Sequence, residues 1–243
     1  MGQFISKISY DAEDIISAQN LRAEVFRGSI KKKDFDPFDD ICKHVLIRDK
    51  QSNNKLVCVF RVLILNNGLE IDKSYSAQHY NLDNLKKIQG PILELGRFCV
   101  RPEYPNGTVI RLAWSLLAKL VLNNKVSFLF GCSSFKGTNE KDYLESFRLL
   151  NHKHLAPKNF NPFVKAKNIY NFSKKLSPCN FDLSLAKKNL PPLLRYYLSL
   201  GGWVSDHAVR DTDLDTLHVF TGLNVTEIPK RKRMAFRGMS VRL

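Results

Sequence analysis

Apolar residues recur with helical spacing near the start of the chain, and residues typical of helix caps flank this run. Asp11 precedes the run and Gly28 follows it, as at many helix starts and ends. The apolar residues that share one helical face are Ile15, Ile16, Leu21, Val25 and Phe26. The pattern predicts a helix from residue 11 to residue 28, followed by a polar, acid-rich loop.

Runs rich in β-branched and aromatic residues follow this loop, as is typical of strands. Turn-forming residues, such as QSNN at 51–54, separate the runs. They predict strands over residues 44–48, 56–65, 92–100, 126–132, 203–209 and 216–223.

Helical spacing returns in three later segments. The first begins at Asn106–Gly107, and its inward-facing residues are Val109, Ile110, Leu112, Ala113, Leu116, Leu117 and Leu120. The second covers residues 140–151, and the third begins at Pro191–Pro192 and ends at Gly201–Gly202. This order of helices and strands predicts an α/β or α+β domain around a mixed sheet.

Composition indicates a globular protein with its own core. Of the 243 residues, 44% are hydrophobic and 11% aromatic, which suffices for one large domain. The longest uncharged apolar stretch is too short to cross a bilayer, and the first residues lack the apolar core of a signal peptide. We therefore expect neither a membrane span nor a secretory leader.

Cysteine and histidine usage favours a reduced, metal-free protein. The cysteines are odd in number, form no C-x-x-C pair and lie mostly in strand-like runs: Cys42, Cys58, Cys99, Cys132 and Cys179. Buried thiols of a cytoplasmic protein explain them most simply. His152 and His154 have no cysteine or carboxylate at ligand spacing, so no metal site is expected there.

The net charge of +15 is concentrated in two stretches. Residues 153–175 hold six lysines and no acid, and residues 230–243 hold six lysines or arginines and no acid. Such charge fits nucleic acid, anionic lipid or an acidic protein, or simply a solvated surface. No nucleic-acid-binding signature accompanies it, so a nucleic-acid-binding protein is the remote alternative. We expect one domain over 1–229 with a basic insertion or loop at 152–180, and a basic tail over 230–243.

Four short motifs carry the candidate chemistry: LRAEVFR at 21–27, DFDPFDD at 34–40, FRVLI at 60–64 and ELGRFCV at 94–100. Each alone is weak, because a charged pair in a strand is more often a salt bridge than a catalytic group. In this order and spacing they resemble the acyl-homoserine lactone synthases. In those enzymes the acyl-donor and amine site is lined by an Arg and a Phe on the first helix, two aspartates in the next loop, a strand Arg and a Glu-x-x-Arg pair.

Further motifs narrow the resemblance to the ornithine-lipid N-acyltransferases. They are LFGCSSFKGTN at 129–139, HKHLAP at 152–157 and LPPLLRYYLSLGG at 190–202. The resemblance implies a GNAT-like fold, whose mixed, mostly antiparallel sheet has a bulged and splayed central strand and is flanked by helices. It also implies acyl-[acyl carrier protein] as donor, ornithine as acceptor and a lyso-ornithine lipid as product. An acyl-homoserine lactone synthase, or an acyltransferase for another amino acid, is the alternative.

The chain departs from the second family at three positions. Phe98 stands where serine is usual, Lys136 where proline is usual, and Pro105 where arginine usually follows the tyrosine. These departures leave the expected chemistry intact and bear on the contacts to the acceptor and to phosphate.

Strand geometry supports a site on residues 92–100. In a regular strand Glu94 and Arg97 would point to opposite faces, because the side-chain period is two. Gly96 between them often marks a bulge, which would bring both side chains to one face. The loop after Val100, with Arg111 and a helix N-terminus, would hold the single phosphate of a carrier-bound phosphopantetheine. An ordinary strand-to-helix turn is the alternative.

Roles follow for the individual residues. Glu94 is the expected general base, and Arg97 would orient it or hold a partner carboxylate. Asp36 and Asp39 would attract the ammonium groups of ornithine or order the loop, and Arg61 would bind the amino-acid carboxylate or an acid of the loop. Arg22 and Phe26 would close the donor side. A buried ion-pair network that only supports the loop is the alternative for the arginines and aspartates.

The donor side is expected to use backbone groups and no bound cofactor. A backbone N–H near Phe98 or Cys99 would hold the oxyanion, and Val100, Arg111, Ser133 and Ser134 would contact the donor. Direct transfer needs no covalent intermediate, although an acyl-enzyme on Cys99 or Cys132 is conceivable. The expected partners are acyl carrier protein, ornithine or a similar amino acid, and an anionic membrane, with no nucleic acid. The protein would be cytoplasmic and peripheral at the inner membrane.

Overall fold

A computed structural model describes residues 2–104, 107–177, 181–229 and 232. Short 3-10 turns connect the longer elements. In chain order the helices and strands are β1 (Phe4–Ser9), α1 (Ala12–Arg27), β2 (Lys43–Asp49), β3 (Lys55–Leu65), α2 (Ser76–His79), β4 (Tyr80–Asn81), β5 (Ile92–Val100), α3 (Thr108–Asn123), β6 (Phe128–Lys136), α4 (Leu144–Lys153), β7 (Phe163–Val164), β8 (Ile169–Tyr170), α5 (Phe172–Lys175), α6 (Leu183–Asn189), α7 (Pro192–Ser199), β9 (Trp203–Asp211) and β10 (Thr216–Asn224).

The described residues form two compact units. The first contains residues up to 64 together with 93–125, and the second contains 65–92 together with 126–232. Each unit combines a group of strands with helices and has its own buried core.

Strands β1, β2, β3 and β5 lie side by side in that order in the first unit. The pairs β1–β2 and β2–β3 are antiparallel. Helix α1 packs on these strands through a buried cluster of Ala18, Leu21, Leu46, Leu56, Val59 and Cys99. This cluster fixes α1 against the strands and thereby sets where the loop after α1 begins.

Helix α1 has the predicted ends, with one difference in how its start is stabilised. Gly28 adopts the left-handed conformation at φ 70°, which lets the chain turn out of the helix. Asp11 occupies the N-cap position, but its carboxylate makes no cap hydrogen bond. It accepts a hydrogen bond from Lys7 Nζ at 2.6 Å instead.

Strands β6, β10, β9 and β8 form the antiparallel group of the second unit. Pairing between β9 and β10 shifts register between Val219 and Thr221. A core of Phe135, Phe147, Leu149, Leu150, Tyr170, Phe172, Ala186, Leu190, Leu194, Val204, Ala208, Leu217 and Val219 joins these strands to helices α4–α7.

The basic segment 152–180 contributes to that core. It contains β7, β8 and α5, and it buries Tyr170 and Phe172. Lys174 and Lys175 lie at the end of the short helix α5, between these buried positions and residues 178–180, which the structure does not describe. The described residues of this segment are therefore part of the folded unit. The domain limits of 1–229 stay a prediction.

The predicted fold class is confirmed: helices flank mostly antiparallel strands, and only an isolated bridge between Leu155 and Val204 is parallel among the pairs described here. Most predicted strands lie within one or two residues of their observed ends. The predicted strand over 126–132 begins and ends later, as β6, and the helix predicted from 140 starts with a 3-10 turn at Glu140–Tyr143. The tail over 230–243 lies outside the described residues, apart from Lys232.

Seven of the elements in the described residues were not predicted: β1, α2, β4, β7, β8, α5 and α6. Strand β1 is an edge strand whose burial alternates poorly, so it lacks a clear period-two pattern. Helix α6 is only seven residues long and buries only Ala186. Within the described ranges, no helix is both long enough and apolar enough to cross a membrane.

Candidate active site

The loop between α1 and β2 holds three aspartates in fixed positions: Asp34, Asp36 and Asp39. Asp36 caps the 3-10 turn Pro37–Asp39, and its Oδ1 accepts a hydrogen bond from the backbone N–H of Phe38 at 2.9 Å. Pro37 at the first position of this turn has a φ angle already suited to it. Asp34 and Asp39 are buried, and Asp36 is partly exposed.

Arg22 on α1 joins two of these aspartates. It donates from Nε to Asp34 Oδ1 at 2.9 Å, and from Nη1 and Nη2 to the two carboxylate oxygens of Asp39 at 2.8 and 2.7 Å. The pairing with Asp39 is the bidentate arrangement for which a planar guanidinium is suited. Arg22 is only 1% exposed, so this contact lies fully inside the protein.

Arg61 on β3 and Arg97 on β5 complete the network from the sheet. Arg61 donates to both oxygens of Asp36 at 2.6 and 2.8 Å, and to Asp39 Oδ1 at 2.7 Å. Arg97 donates to Asp36 Oδ2 at 2.9 Å and lies 3.3 Å from Asp34 Oδ1. The structure thus brings together Arg22, Asp36, Asp39, Arg61 and Arg97, five of the predicted site residues.

The arginines of the network hold the carboxylates of Asp36 and Asp39 in the ionised form. Burial favours the neutral form of Asp39, but hydrogen bonds and attraction from Arg22 and Arg61 outweigh it and hold the pKa of Asp39 far below its ordinary value. Burial likewise opposes ionisation of Asp36, and Arg61 and Arg97 still lower its pKa. With the guanidinium of Arg27 at 3.3 Å from Asp34 Oδ2, four arginines meet three aspartates.

His44 on β2 lies beneath the same loop. Its Nε2 is 3.0 Å from the backbone oxygen of Asp39, and its side chain is 1% exposed. Burial lowers the pKa of His44, against the smaller raising effect of its bond to Asp39. A neutral ring at neutral pH donates to that backbone oxygen and holds the end of the turn.

Sequence reasoning overlooked three members of this network. Asp34 was part of the DFDPFDD motif, yet it is the most deeply buried of the three aspartates. Arg27 and His44 also contact the loop. In the sequence, only their positions pointed to such contacts: Arg27 stands at the end of the predicted helix, and His44 at the start of the predicted strand.

Strand β5 is irregular at the predicted place, shifted by one residue. Arg97 has φ 50°, in the left-handed region that is uncommon for a residue with a side chain. Gly96 itself has no positive φ, and a Cβ there would lie 3.6 Å from Arg61 Nε. A side chain at this position would meet Arg61 at ordinary van der Waals distance, so the irregularity of the strand lies in the backbone of Arg97.

Glu94 lies on β5, three residues before Arg97, and is 4% exposed. Its charge is one of several that raise the pKa of Cys42 to about 12, after the larger effect of burial. A buried carboxylate is the kind of group that serves as a general base when a substrate amine reaches it. The catalytic role of Glu94 stays a prediction.

Phe98 and Phe26 are half-buried and pack against neighbouring side chains, whereas Cys99 lies in the interior. Phe98 stacks on Phe60 with ring centroids 5.6 Å apart. Phe26 packs against the cluster that contains Cys99, and Cys99 itself is 1% exposed. Burial raises the pKa of the Cys99 thiol to about 12.

Cys99→Ala and Cys132→Ala are each expected to retain most of the wild-type turnover. The thiolate is the nucleophilic form of cysteine, and the Cys99 thiol, with a pKa of about 12, is almost wholly protonated at neutral pH. For Cys132 the expectation rests on direct transfer, which needs no covalent intermediate. Steady-state rates and intact-protein mass spectra after mixing with acyl donor test this. A trapped acyl adduct on either sulfur would show that transfer passes through an acyl-enzyme.

The predicted donor residues fall in two places. Val100 ends β5, and Arg111 lies exposed in the first turns of α3, where its Nη2 donates to Thr108 Oγ1 at 3.0 Å. Pro105 and Asn106 of the intervening loop lie outside the described residues. The phosphate-binding role of this loop stays a prediction.

Ser133 and Ser134 lie on β6 in the second unit. Ser133 is buried, and its Oγ accepts a hydrogen bond from Thr221 Oγ1 at 2.9 Å. Ser134 is exposed opposite His218 of β10. The part of the chain that is described contains no cluster of three or more histidine, cysteine, aspartate or glutamate residues that could hold a metal ion.

Comparison with known proteins agrees with this arrangement. Residues 21–115, which contain the whole ion-pair network, match the family profile described as Acetyltransferase (GNAT) domain. Two solved structures share the fold over 93% of the chain: the loading GNATL domain of CurA from Lyngbya majuscula, with TM-score 0.51 and 11% identity, and FeeM, an N-acyl amino acid synthase from uncultured soil microbes, with TM-score 0.50 and 9% identity. The matched regions cover 99% of the CurA domain and 93% of FeeM. The protein is an acyltransferase with a GNAT-like fold.

Sequence similarity over almost the whole chain indicates which kind of acyltransferase the protein resembles. The L-ornithine N(alpha)-acyltransferase of Rhodobacter capsulatus is 27% identical over 241 residues, which cover 93% of this chain and 92% of the relative. The chain thus resembles the L-ornithine N(alpha)-acyltransferases, as its motifs predicted.

Proposed function

We propose that the protein transfers an acyl chain, in particular a 3-hydroxyacyl chain, from acyl carrier protein to the α-amine of ornithine. The product would be a lyso-ornithine lipid. The observation that carries this proposal is the likeness to L-ornithine N(alpha)-acyltransferases over 93% of the chain. The paired arginines and aspartates support it, because they form a buried, charged framework that includes Arg97 of β5, the strand that also carries the candidate base Glu94.

The proposed reaction is direct aminolysis of a thioester. The ammonium group of ornithine loses a proton to Glu94, directly or through water, and the free amine attacks the thioester carbonyl carbon. A C–N bond forms, and the tetrahedral oxyanion accepts a hydrogen bond from a backbone N–H near Phe98 or Cys99. Collapse breaks the C–S bond, the attacking nitrogen loses its second proton to the departing thiolate, and Glu94 releases the first proton to solvent.

The ion-pair network would act chiefly by positioning. The geometry favours the second of the two roles considered for Arg61, because it binds Asp36 and Asp39 of the loop. The same contacts favour loop ordering by these aspartates. Arg97, at 11% side-chain exposure, also borders the outside, and its bonds to Asp34 and Asp36 favour the role of holding a partner carboxylate.

Mass spectrometry of lipids tests the proposed function. The chain is expressed in a bacterial host without aminolipids, next to a strain that carries Glu94→Gln at equal protein level. We expect a lyso-ornithine lipid in the first strain only. A product whose head group is another amino acid would reassign the acceptor, and an acylated lactone would favour the synthase alternative.

Acyl carrier protein is expected to be a far better donor than acyl-coenzyme A. The start of α3 offers Gly107 at the N-cap and Arg111 in the first turns, a small set of groups that suits the single phosphate of a carrier-bound phosphopantetheine. The basic chain also complements an acidic carrier.

Initial rates with matched acyl chains on the two donors measure this preference. Raising the salt concentration should reduce the advantage of the carrier protein, since attraction between exposed charges is screened. Equal efficiency with coenzyme A at all salt concentrations would contradict the preference.

Deleting residues 230–243 is expected to weaken binding to anionic vesicles without changing kinetics on soluble substrates. The tail interleaves six basic residues with Met234, Phe236, Met239, Val241 and Leu243. Basic residues contribute on the order of 1 kcal/mol each near an anionic surface. Its structure lies outside the described residues, so the proposal rests on the sequence.

Vesicle sedimentation and steady-state kinetics of the two proteins separate the possible roles of the tail. A raised Michaelis constant for acyl carrier protein would indicate carrier docking instead. No change in either measurement would show that the tail has neither role. Peripheral attachment at the inner face of the membrane is part of this proposal.

A further inference from the structure

A short connection in the first unit combines exposed lysines with exposed apolar side chains. Residues 29–35, which we name the lysine loop, follow α1 and precede Asp36. Lys31, Lys32 and Lys33 are all exposed. Ile30 is 57% exposed and Phe35 is 67% exposed, although both are large and apolar. The loop thus displays three cations with one exposed apolar side chain before them and one after them.

The lysine loop is held in place at both ends. At its start, Ser29 Oγ accepts a hydrogen bond from the backbone N–H of Lys31 at 3.2 Å and caps the 3-10 turn Ile30–Lys32. Near its end, Asp34 is fully buried and bonded to Arg22. The exposed side chains are therefore carried by an ordered backbone, which reduces the entropy lost when they bind a partner.

The exposed part of the loop carries no negative charge to offset the lysines. Its one acidic residue, Asp34, points into the interior, where its carboxylate contacts the guanidinium groups of Arg22 and Arg97. Three adjacent lysines thus present positive charge to the outside. Cations flanked by apolar side chains are the combination that binds an anionic lipid surface.

We propose that the lysine loop is a docking site for an anionic membrane surface, with Ile30 and Phe35 entering the interfacial region and Lys31–Lys33 contacting lipid phosphates. This rests on the proposed function in one respect. The proposed product carries an acyl chain, so an enzyme held at the membrane releases that product directly into the lipid phase, where acyl chains dissolve. An acidic protein would be attracted by the lysines, but the exposed Ile30 and Phe35 favour a lipid phase. The loop adds a folded contact to the one proposed for the tail.

Binding of the full chain to vesicles tests the charged part of the proposal. The vesicles contain phosphatidylcholine with or without phosphatidylglycerol. Replacing Lys31, Lys32 and Lys33 by glutamine should weaken binding to the anionic vesicles by about tenfold or more. The matched control replaces Lys50, Lys119 and Lys141, which are exposed elsewhere, and removes the same charge. Equal loss in the two triple variants would overturn the proposal.

Insertion of the apolar residues is tested separately, because the tail also binds lipid in our proposal. In Phe35→Trp, the tryptophan emission should shift to the blue and be quenched by brominated lipids in anionic vesicles. The control is Leu69→Trp, at a position that is 72% exposed in the second unit. Absence of quenching at residue 35, or equal quenching at both positions, would overturn the proposal even if the tail alone held the protein on the vesicle.

Kinetics separate this inference from the proposed function. The lysine-loop variants should keep wild-type turnover on soluble donor and ornithine, because neither the lysines nor Phe35 belongs to the ion-pair network. Lost turnover in these variants would mean that the loop serves the reaction itself, which would contradict a pure docking role. A failure of the wild type to acylate ornithine would refute the proposed function and leave the vesicle results intact.

Discussion

Replacing Glu94 by glutamine should lower turnover about a hundredfold or more, because general-base catalysis contributes that much in comparable enzymes. Glutamine has the size and hydrogen-bonding reach of glutamate but does not accept the proton of the amine. The free energy of unfolding should change little, since the replacement is isosteric. Turnover and urea unfolding of the purified variant give the two measurements.

Glu13→Gln is the control for this prediction, since Glu13 is exposed on α1 and lies outside the network. It should leave turnover unchanged. The rate of the wild type should also fall toward low pH as the base becomes protonated, and that dependence should be lost in the Glu94 variant. Near-wild-type turnover of Glu94→Gln across the pH range would rule out Glu94 as the base.

Arg22→Met should destabilise the fold by about 3–5 kcal/mol, the usual effect of leaving buried charges without their partner. Arg22 is 1% exposed and bonds to Asp34 and Asp39, and both carboxylates would stay buried in the variant. Arg48→Met is the matched control, because the ion pair of Arg48 with Asp14 is partly exposed. That loss should be about 1 kcal/mol or less. Urea unfolding at pH 7 compares the two.

The stability of the wild type should also depend on acidity in a defined sense. Asp36 and Asp39 have lowered pKa values in the folded protein, so the unfolded chain binds protons at a higher pH than the folded chain does. The stabilisation is complete above the ordinary carboxyl pKa of about 4 and is lost as the pH falls below it. The free energy of unfolding of Arg22→Met should fall less over this pH range than that of the wild type. Equal slopes of this free energy against pH in the two proteins would show that Arg22 does not stabilise the ionised carboxylates.

Much of the first unit could be predicted from local pattern. The helix between Asp11 and Gly28 and the strand at 92–100 follow from cap residues and from runs of apolar residues, which act over a few positions. The motifs also identified five residues that prove to be neighbours. Their ordered spacing carried this information, because each arginine or aspartate alone is consistent with a surface salt bridge.

The partners within the network could not be predicted, because they depend on tertiary contacts. DFDPFDD offers four aspartates, and only the fold decides that Asp34 is buried while Asp40 is exposed. Similarly, Gly96 was the natural position for an irregular backbone, yet the positive φ falls on Arg97. The bonds from Arg97 to Asp34 and Asp36 can hold that strained backbone in place, and no local pattern records them.

The separation of the network partners along the chain has a consequence for how the protein folds. Arg22 lies 17 residues from Asp39, whereas Arg97 lies 63 residues from Asp34. The loop acquires its last cation only after the intervening chain has closed on itself, and such long-range closure is slow because of its entropy. The acidic loop therefore belongs to a late-forming cooperative unit. A chain caught before β5 has joined the other strands holds three aspartates without their full set of partners, and it is at that stage that acid would most readily trap it.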